Sequence, residues 1–439
     1  MRYRGRMVVL LLACASTSAP PPPAAIGAPS APAASADAAP RPPLTTPTTP
    51  NVVILDVDSL RDDAVEPHGA PALARLAAEG VRFTTTRAAA GWTLPGFLSL
   101  LAGRPAEADL LGERIPEPLR DRLLPALMTT YGYHVAYTWG DTLLASHPDA
   151  GAWFGAEARS FPTLTDAGAH LGELSEPFFF LAHDVDLHPL DRRVELSGAA
   201  RLELPSEAVR AEYRSEYASN VARADAAVGA FLTALDAAGH HDDTLVVLTS
   251  DHGESFGDHG WMGHGVNLHE DVLRVPLVIR GPGVPAGRNI TTAVGTIDVA
   301  PTLLAASGIP VYAKMTGQAL QPLWTGGALS ERTFYAQSNA VAAARVEGDL
   351  KLLVLPPECG DDTPAGTLRK PACTWLFDLA ADPGETTNLA AARPDDARRL
   401  RDDLFGWLGA QSDPESLRQS QEFKKALRKH GYFDAEPGK

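Results

Sequence analysis

The residues best suited to do chemistry lie in one glycine-rich segment in the second half of the chain. Asp251 and His252 follow directly after an apolar run, and His259 and His264 come next among glycines. Carboxylate oxygens and imidazole nitrogens bind divalent metals, and glycine lets the backbone approach a bound ion closely. This density of ligands predicts a metal or anion site, with a surface loop as the alternative. His259 either lines the pocket or stabilises the loop.

Two further candidates, Asp58 and Thr93, stand at the predicted ends of local elements. Asp58 lies just beyond the end of the first apolar run, and the two-residue period of a strand puts Asp56 on the same side. We interpret Asp56 as a turn acceptor, with a second metal ligand as the alternative. Thr93 precedes a predicted helix, where an N-cap is its commonest role, although helix N-termini also favour anionic ligands. Trp92 is expected to pack against the core.

The surrounding pattern predicts the elements that position these groups. Strand-like runs lie at 51–56, 134–139, 177–182, 244–249 and 275–279, and helical patterns lie at 71–80, 94–102, 120–131 and 212–238. Their alternation predicts a mostly parallel sheet covered by helices on both faces, with ligands beyond the carboxyl ends of the strands. A third polar group, formed by His183, Asp186 and His188, follows the run at 177–182 and falls at the same edge.

The pattern changes after residue 325. Short strands of an antiparallel type are predicted at 333–336, 343–346, 351–355 and 374–379, and helices are predicted at 394–408 and 416–429. We therefore expect a smaller C-terminal α+β subdomain over 326–439. Arg345 and Lys351 are candidate anion contacts from it, with solvated surface charge as the alternative. Cys359 and Cys373 flank a polar, turn-rich stretch, which favours a local disulfide over two free thiols.

The N-terminus has the pattern of an export signal. Arg2, Arg4 and Arg6 precede a short apolar run at 8–13, and residues 11–14 resemble the bacterial lipobox, in which the cysteine (here Cys14) becomes lipidated. An ordinary signal peptide with an incidental cysteine is the alternative. Residues 15–50, rich in Ala and Pro, predict a tether. These features predict a lipid-anchored protein of the bacterial cell envelope, at the outer membrane or the periplasmic face.

The net charge of −16 argues against a general nucleic-acid partner, because neutralising phosphates requires a basic face. It also means that any attraction for an anionic substrate must be local.

The chain resembles the sulfatase branch of the alkaline-phosphatase superfamily over 51–439. The matching segments are the first strand with its metal-binding Asp at Asp58, the nucleophile motif at 92–95 and 99–104, a substrate loop matching at His183, Asp186 and His188, the second metal motif at 249–254 and 274–277, and a C-terminal hairpin at 376–389. The resemblance implies an α/β/α sandwich with a mostly parallel central sheet, a sulfatase-like catalytic domain over 51–325, and the smaller subdomain already described.

The motif also departs from the family pattern. Thr93 stands where sulfatases carry the Cys or Ser that matures to formylglycine, Gly96 and Phe97 replace a Ser and an Arg, and His264 matches a substrate-binding Lys. Threonine nucleophiles occur in related phosphoglycerol transferases of the lipoteichoic-acid-synthase type and in phosphoethanolamine transferases. Those relatives hold one divalent ion with an acid, the Thr, an Asp and a His.

The resemblance implies a metal-dependent hydrolase of sulfuric or phosphoric esters. Its expected metal ligands are Asp58, Thr93, Asp251 and His252, and its expected substrate contacts are His183, Asp186, His188 and His264. Thr93 is the expected nucleophile, while His188 and His264 stabilise the transferred group or protonate the leaving group. One histidine among carboxylates suits Ca²⁺, Mn²⁺ or Zn²⁺ better than Mg²⁺.

The expected substrate is a sulfated or phosphorylated small molecule, glycan or lipid. Two alternatives stay open from the sequence. One is a catalytically inactive lipoprotein of the same fold that binds an anionic glycan or lipid headgroup, an interpretation that Gly96 and Phe97 favour. The other is a phosphoglycerol- or phosphoethanolamine-type transferase, which Thr93 favours.

Overall fold

The structure is a computed structural model that describes residues 49–65, 70–105, 115, 120–139, 144, 150–187, 205–265, 267–338, 342–355 and 374–410. Several predictions lie outside these residues: the signal and lipidation site at Cys14, nearly all of the tether, His188, the Cys359–Cys373 pair and the helix at 416–429.

The described chain alternates strands and helices through most of its length. The strands are β1 (Asn51–Asp58), β2 (Val81–Phe83), β3 (Thr86–Arg87), β4 (His134–Thr138), β5 (Arg159–Phe161), β6 (Phe178–Asp186), β7 (Thr244–Thr249), β8 (Ser255–Phe256), β9 (Met262–Gly263), β10 (Leu277–Arg280), β11 (Arg288–Ile290), β12 (Val294–Gly295), β13 (Phe334–Ser338), β14 (Ala342–Glu347), β15 (Leu350–Val354) and β16 (Thr374–Asp378). The α-helices are α1 (Pro71–Glu79), α2 (Thr93–Ala102), α3 (Leu124–Thr130), α4 (Leu164–Ala169), α5 (Glu207–Ala237), α6 (Glu270–Leu273), α7 (Val299–Ala306), α8 (Gln321–Thr325) and α9 (Pro394–Ala410).

An eight-stranded sheet with the order β11-β2-β10-β7-β1-β6-β4-β5 lies at the centre. From β7 to β5 the strands run parallel, and β10 is antiparallel to β7 and β2. Val52 and Ile54 of β1 pack on the face covered by α2 and α7, whereas Val53 and Leu55 pack on the face covered by α1 and α5. This alternation is typical of a strand buried on both sides. The expected doubly covered, mostly parallel sheet is confirmed.

The C-terminal part forms a separate four-stranded antiparallel sheet, β13-β14-β15-β16. One face packs on α9 through Leu400 and Leu404, and the other meets Leu268 and Leu273 from the region that follows β9. The antiparallel strands therefore agree with the sequence pattern, while the boundary after residue 325 stays a prediction. Among the described helices, none combines the length and the apolar character needed to cross a bilayer.

Some element ends differ from their predicted positions. β6 continues through His183 to Asp186, because its parallel pairing with β1 resumes after an irregularity and joins Asp58 with Asp186. The predicted end at residue 182 was therefore wrong, and His183 lies within the strand rather than in a loop beyond it. The helix predicted at 120–131 is shorter, since α3 covers only Leu124–Thr130.

Candidate functional site

Three adjacent strands bring the candidate ligands together at one edge of the sheet. Asp58 ends β1, His183 lies near the end of β6, and Asp251 follows β7. Strands β6 and β7 are the two neighbours of β1 in the sheet. One ligand atom from each of these residues lies within 4.8 Å of the other two, and all three side chains are buried. Parallel pairing thus assembles a group that can hold a divalent metal ion from segments far apart in sequence.

His252 extends this group towards Thr93. Its Nε2 atom lies 3.6 Å from Asp58 Oδ1, 3.4 Å from Asp251 Oδ2 and 3.2 Å from Thr93 Oγ1. Its Nδ1 lies 2.8 Å from the carbonyl oxygen of Gly253. Because a carbonyl only accepts, Nδ1 carries a proton, and Nε2 is the ring nitrogen that a metal ion would take. This is the tautomer that a metal-binding histidine needs.

Thr93 is the first residue of α2, and its side chain points to His252. It is 5% exposed, so its hydroxyl lies in a largely desolvated site at the positive end of a ten-residue helix. A helix N-terminus stabilises negative charge on an oxygen placed there. The N-cap position itself belongs to Trp92, which is buried in the core as expected.

Gly96 and Phe97 are explained by packing around this helix. A Cβ at position 96 would overlap the carbonyl oxygen of Asp251, so the first turn of α2 approaches the metal motif as closely as it does only because residue 96 is glycine. Phe97 is fully buried, and its ring centre lies 5.2 Å from that of His183 in an edge-on arrangement. Both departures from the family pattern therefore have structural causes.

Asp56 holds His183 in place. Asp56 Oδ2 lies 2.9 Å from His183 Nδ1, and both side chains are fully enclosed. The other ring nitrogen of His183, Nε2, lies 3.8 Å from Asp58 Oδ2. Our interpretation of Asp56 as a turn acceptor was wrong, because Asp56 lies inside β1 and reaches across to β6.

The electrostatics of the site call for a cation. Burial raises the pKa of Asp251 well above its usual range, and the nearby charges of Asp58 and Asp56 raise it further. Burial likewise raises the pKa of Asp56, against the opposing effect of His183. Within the described atoms, Asp251 Oδ2 and Asp56 Oδ1 are buried without a hydrogen-bond partner. A bound divalent ion would relieve this repulsion, so the donor set fits one.

His264 packs against the ring of His252. The two rings stack with centres 4.4 Å apart, and His264 Nδ1 lies 3.3 Å from the buried carboxylate of Glu254. That contact lets Glu254 orient the ring. Sequence reasoning missed Glu254, although its place two residues after His252 was a usable signal.

Sequence reasoning also missed Ser59, which adopts a left-handed backbone with φ of 63°. Its hydroxyl donates to Asp58 Oδ1, and its N–H lies 3.3 Å from Asp251 Oδ1. The hydroxyl of Tyr217 donates to the Ser59 carbonyl and holds the turn. Strained backbone of this kind is concentrated at functional sites.

Other candidates lie apart from this site or cannot be placed. Asp186 pairs with Asp58 through its backbone, but its side chain and all of His188 lie outside what the structure describes. His259 stacks on His269 with ring centres 4.0 Å apart. Lys351 is fully buried between Glu270 and Glu385, so it is not an anion contact.

Arg345 is also not an anion contact, because it pairs with Glu347 and Asp403.

The fold and the site define a class: an α/β protein that gathers carboxylates, histidines and a helix-terminal threonine at the carboxyl edge of a mostly parallel sheet. The family follows from comparison. The Sulfatase family model matches residues 50–309, more than half of the chain, and the chain belongs to that family. This confirms the resemblance noted in the sequence.

Curated relatives match about half of this chain. Arylsulfatase K from Xenopus laevis is 27% identical over 229 residues, which cover 49% of this chain and 40% of that protein. Choline-sulfatase from Rhizobium meliloti (strain 1021) is 33% identical over 234 residues, with 50% and 42% covered. The chain thus spans about two fifths of the length of these relatives.

Solved structures share the fold over most of the chain. A 2-O GAG sulfatase has a TM-score of 0.66 at 20% identity, with 84% of this chain and 96% of that chain covered. The phosphonate monoester hydrolase from Silicibacter pomeroyi has a TM-score of 0.63 at 18% identity, with 83% and 96% covered.

Proposed function

We propose that this protein hydrolyses sulfuric or phosphoric esters, with Thr93 as the nucleophile and one divalent ion held by Asp58, Asp251 and His252. The observation that carries this proposal is the position of Thr93 Oγ1, 3.2 Å from His252 Nε2 and beside two buried carboxylates. A threonine that serves only for packing has no reason to lie among carboxylates whose mutual repulsion a cation would relieve.

The ion, when bound, supplies the positive charge that favours an ionised hydroxyl and offsets charge on the ester oxygens. The Thr93 hydroxyl loses its proton to solvent, and its oxygen forms a bond to sulfur or phosphorus. The bond from that atom to the leaving oxygen breaks, and His264 acts as the general acid that gives this oxygen a proton. A water then bonds to the same sulfur or phosphorus, its proton returns to His264, and Thr93 leaves as a hydroxyl with a solvent proton.

The substrate class follows from the relatives and the charge of the chain. One curated relative is named for choline sulfate, and one structural neighbour for a phosphonate monoester. An unmodified threonine has no second hydroxyl to expel a bound sulfate, so we infer that phosphorus esters are better substrates than sulfate esters. The net charge of −16 repels anions at long range. This favours substrates that are small or that carry negative charge only at the ester group.

The inactive alternative loses its main support. Gly96 and Phe97 suggested a decayed nucleophile motif, but one permits the contact with Asp251 and the other packs against His183. Transfer to an alcohol would use the same Thr93 ester as hydrolysis, with the alcohol in place of water as the acceptor. The assay can separate them, because an added alcohol would appear in an ester product.

The test is a panel of sulfate, phosphate monoester, phosphate diester and phosphonate esters, assayed with Zn²⁺, Mn²⁺ or Ca²⁺ and with or without an added alcohol. We expect Thr93→Ala to lower kcat/KM by at least about 10³-fold and Thr93→Ser to retain most of it. Thr130→Ala, on the exposed end of α3, is the matched control. Unchanged activity in Thr93→Ala would overturn the proposal.

A further inference from the structure

His183 has a geometry that a substrate contact does not need. Its Nδ1 lies 2.9 Å from Asp56 Oδ2, and the ring is fully buried. In the arrangement we infer, Nδ1 donates its N–H to Asp56, which leaves Nε2 as the nitrogen for a metal ion. Nε2 lies 3.8 Å from Asp58 Oδ2.

The ring is held in this orientation on two sides. Asp56 fixes one edge from the neighbouring strand, and Phe97 packs edge-on with ring centres 5.2 Å apart. A histidine whose far nitrogen donates to a buried carboxylate while its near nitrogen faces other ligands is the usual arrangement of a metal-bound imidazole.

We propose that His183 is itself a ligand of the ion and that Asp56 is its positioning residue. This inference rests on the proposed function and deepens it, because the centre then contains two imidazoles and two carboxylates beside Thr93. The spacings between neighbouring donor atoms run from 3.2 Å to 3.8 Å. Donors bound at about 2.0–2.2 Å from one small ion are separated by similar distances.

The extra imidazole has a consequence for the choice of metal. Ca²⁺ prefers a shell of oxygen ligands, whereas nitrogen ligands suit Zn²⁺ and Mn²⁺, with Zn²⁺ bound more tightly by such sites. A site with one histidine ligand can still bind Ca²⁺, but a second histidine ligand disfavours this ion. We therefore expect affinity in the order Zn²⁺, then Mn²⁺, then Ca²⁺.

The experiment measures metal binding directly, without activity. Chelator-stripped protein is titrated with Zn²⁺ against a competing chelator, and the Co²⁺-loaded form is examined by visible absorption. We expect His183→Gln to weaken Zn²⁺ binding by about 100-fold and Asp56→Asn by about 10-fold, both with a changed Co²⁺ spectrum. His134→Gln is the control, since His134 is exposed at the start of β4 and belongs to no group of possible metal ligands among the described residues.

The wild-type protein provides a test that does not depend on a variant folding. Pulsed electron paramagnetic resonance of the protein loaded with one equivalent of Cu²⁺ counts coordinated imidazoles, and two are expected in both wild type and His134→Gln. A single imidazole, or a His183→Gln variant with wild-type Zn²⁺ affinity and Co²⁺ spectrum, would overturn this inference. If Asp58→Asn also bound metal like wild type, the proposed catalytic centre itself would be wrong.

Discussion

At the scale of residues, the chemistry of the site depends on side chains that touch the ligands as much as on the ligands themselves. Phe97 takes the place of an arginine in the family motif, and its ring packs against His183, Trp139 and Trp153. The aromatic surface leaves no solvent around the buried ring of His183. Phe97 therefore packs against a side chain of the candidate metal site and is not a failed anion contact.

Restoring the family residue should consequently harm the protein. Phe97→Arg would bury a guanidinium among aromatic rings, and an uncompensated buried charge costs several kcal/mol. We expect a large loss of thermal stability or of folded yield, measured by calorimetry, with no gain in sulfate ester hydrolysis. Phe97→Leu should cost only about 1–3 kcal/mol. A Phe97→Arg protein as stable as wild type with faster sulfatase activity would contradict this account.

The sequence predicted the members of the site better than their roles. The structure brings Asp58, Thr93, Asp251 and His252 together, because Asp58 ends β1, Asp251 and His252 follow β7, and Thr93 begins α2. The partners Asp56 and Glu254 could not be assigned, since their roles depend on which ring nitrogen of His183 or His264 they face. Those contacts are set by tertiary packing and leave no local pattern.

At the scale of elements, the site depends on how closely α2 approaches the turn after β7. Gly96→Ala adds a methyl group that collides with the Asp251 carbonyl, so helix or turn must move. We expect a loss of roughly 1–3 kcal/mol in the free energy of unfolding, together with weaker metal binding.

The matched control for that variant is Gly406→Ala in α9, where an added Cβ meets no atom within 4 Å. Alanine is the better helix former, so this variant should gain up to about 1 kcal/mol. Chemical denaturation of both variants tests the pair. Equal stability changes would show that the close approach of α2 is not what requires glycine at position 96.

A second contact between elements joins α6 to the C-terminal sheet. Lys351 of β15 is buried between Glu270 and Glu385 at 2.9 Å and 2.8 Å. Burial opposes the ionisation of Glu270, but the charges of Lys351 and Arg87 hold its pKa at about 2. Burial, with some repulsion from Glu270, instead raises the pKa of Glu385 to about 7.

This raised pKa makes stability depend on pH. The ordinary pKa of a glutamate is 4.5, and the pKa of Glu385 in the folded protein is about 7. Between these two pH values the unfolded chain has lost the Glu385 proton while the folded protein still holds it. Rising pH in this window therefore lowers the free energy of unfolding. Glutamine does not titrate, so the melting temperature of Glu385→Gln minus that of wild type should increase from pH 4.5 to pH 8. The exposed Glu212→Gln should show no such trend, and a flat difference for Glu385→Gln would count against the assignment.

The element pattern of the sequence identified five of the eight strands of the central sheet and missed the short strands β2, β5 and β11. It placed the end of β6 too early, because aromatic residues marked its apolar part while the polar residues His183 and Asp186 continue the pairing with β1. Strand pairing is a tertiary property, so polar residues at a functional edge are easily taken for a loop.

At the scale of the whole molecule, the sequence pattern of residues 1–50 predicts a lipid anchor and a tether before the folded part. We propose that Cys14 is lipidated and holds the protein at the cell envelope, as the basic residues and the short apolar run before it suggest. Labelled fatty acid should enter the wild-type protein and not Cys14→Ser, which should leave the membrane fraction. Cys359→Ser is the control, and equal labelling of all three proteins would exclude lipidation at Cys14.

The central claim is that Thr93 attacks the ester and carries the transferred group. Rapid quenching of the Zn²⁺-loaded protein during turnover of a phosphonate or phosphate ester, followed by mass spectrometry of its peptides, tests this most directly. We predict a transient ester on the peptide that contains Thr93, formed as fast as the first alcohol is released and absent from Thr93→Ala. Turnover without such an ester, or with one on another residue, would contradict the account.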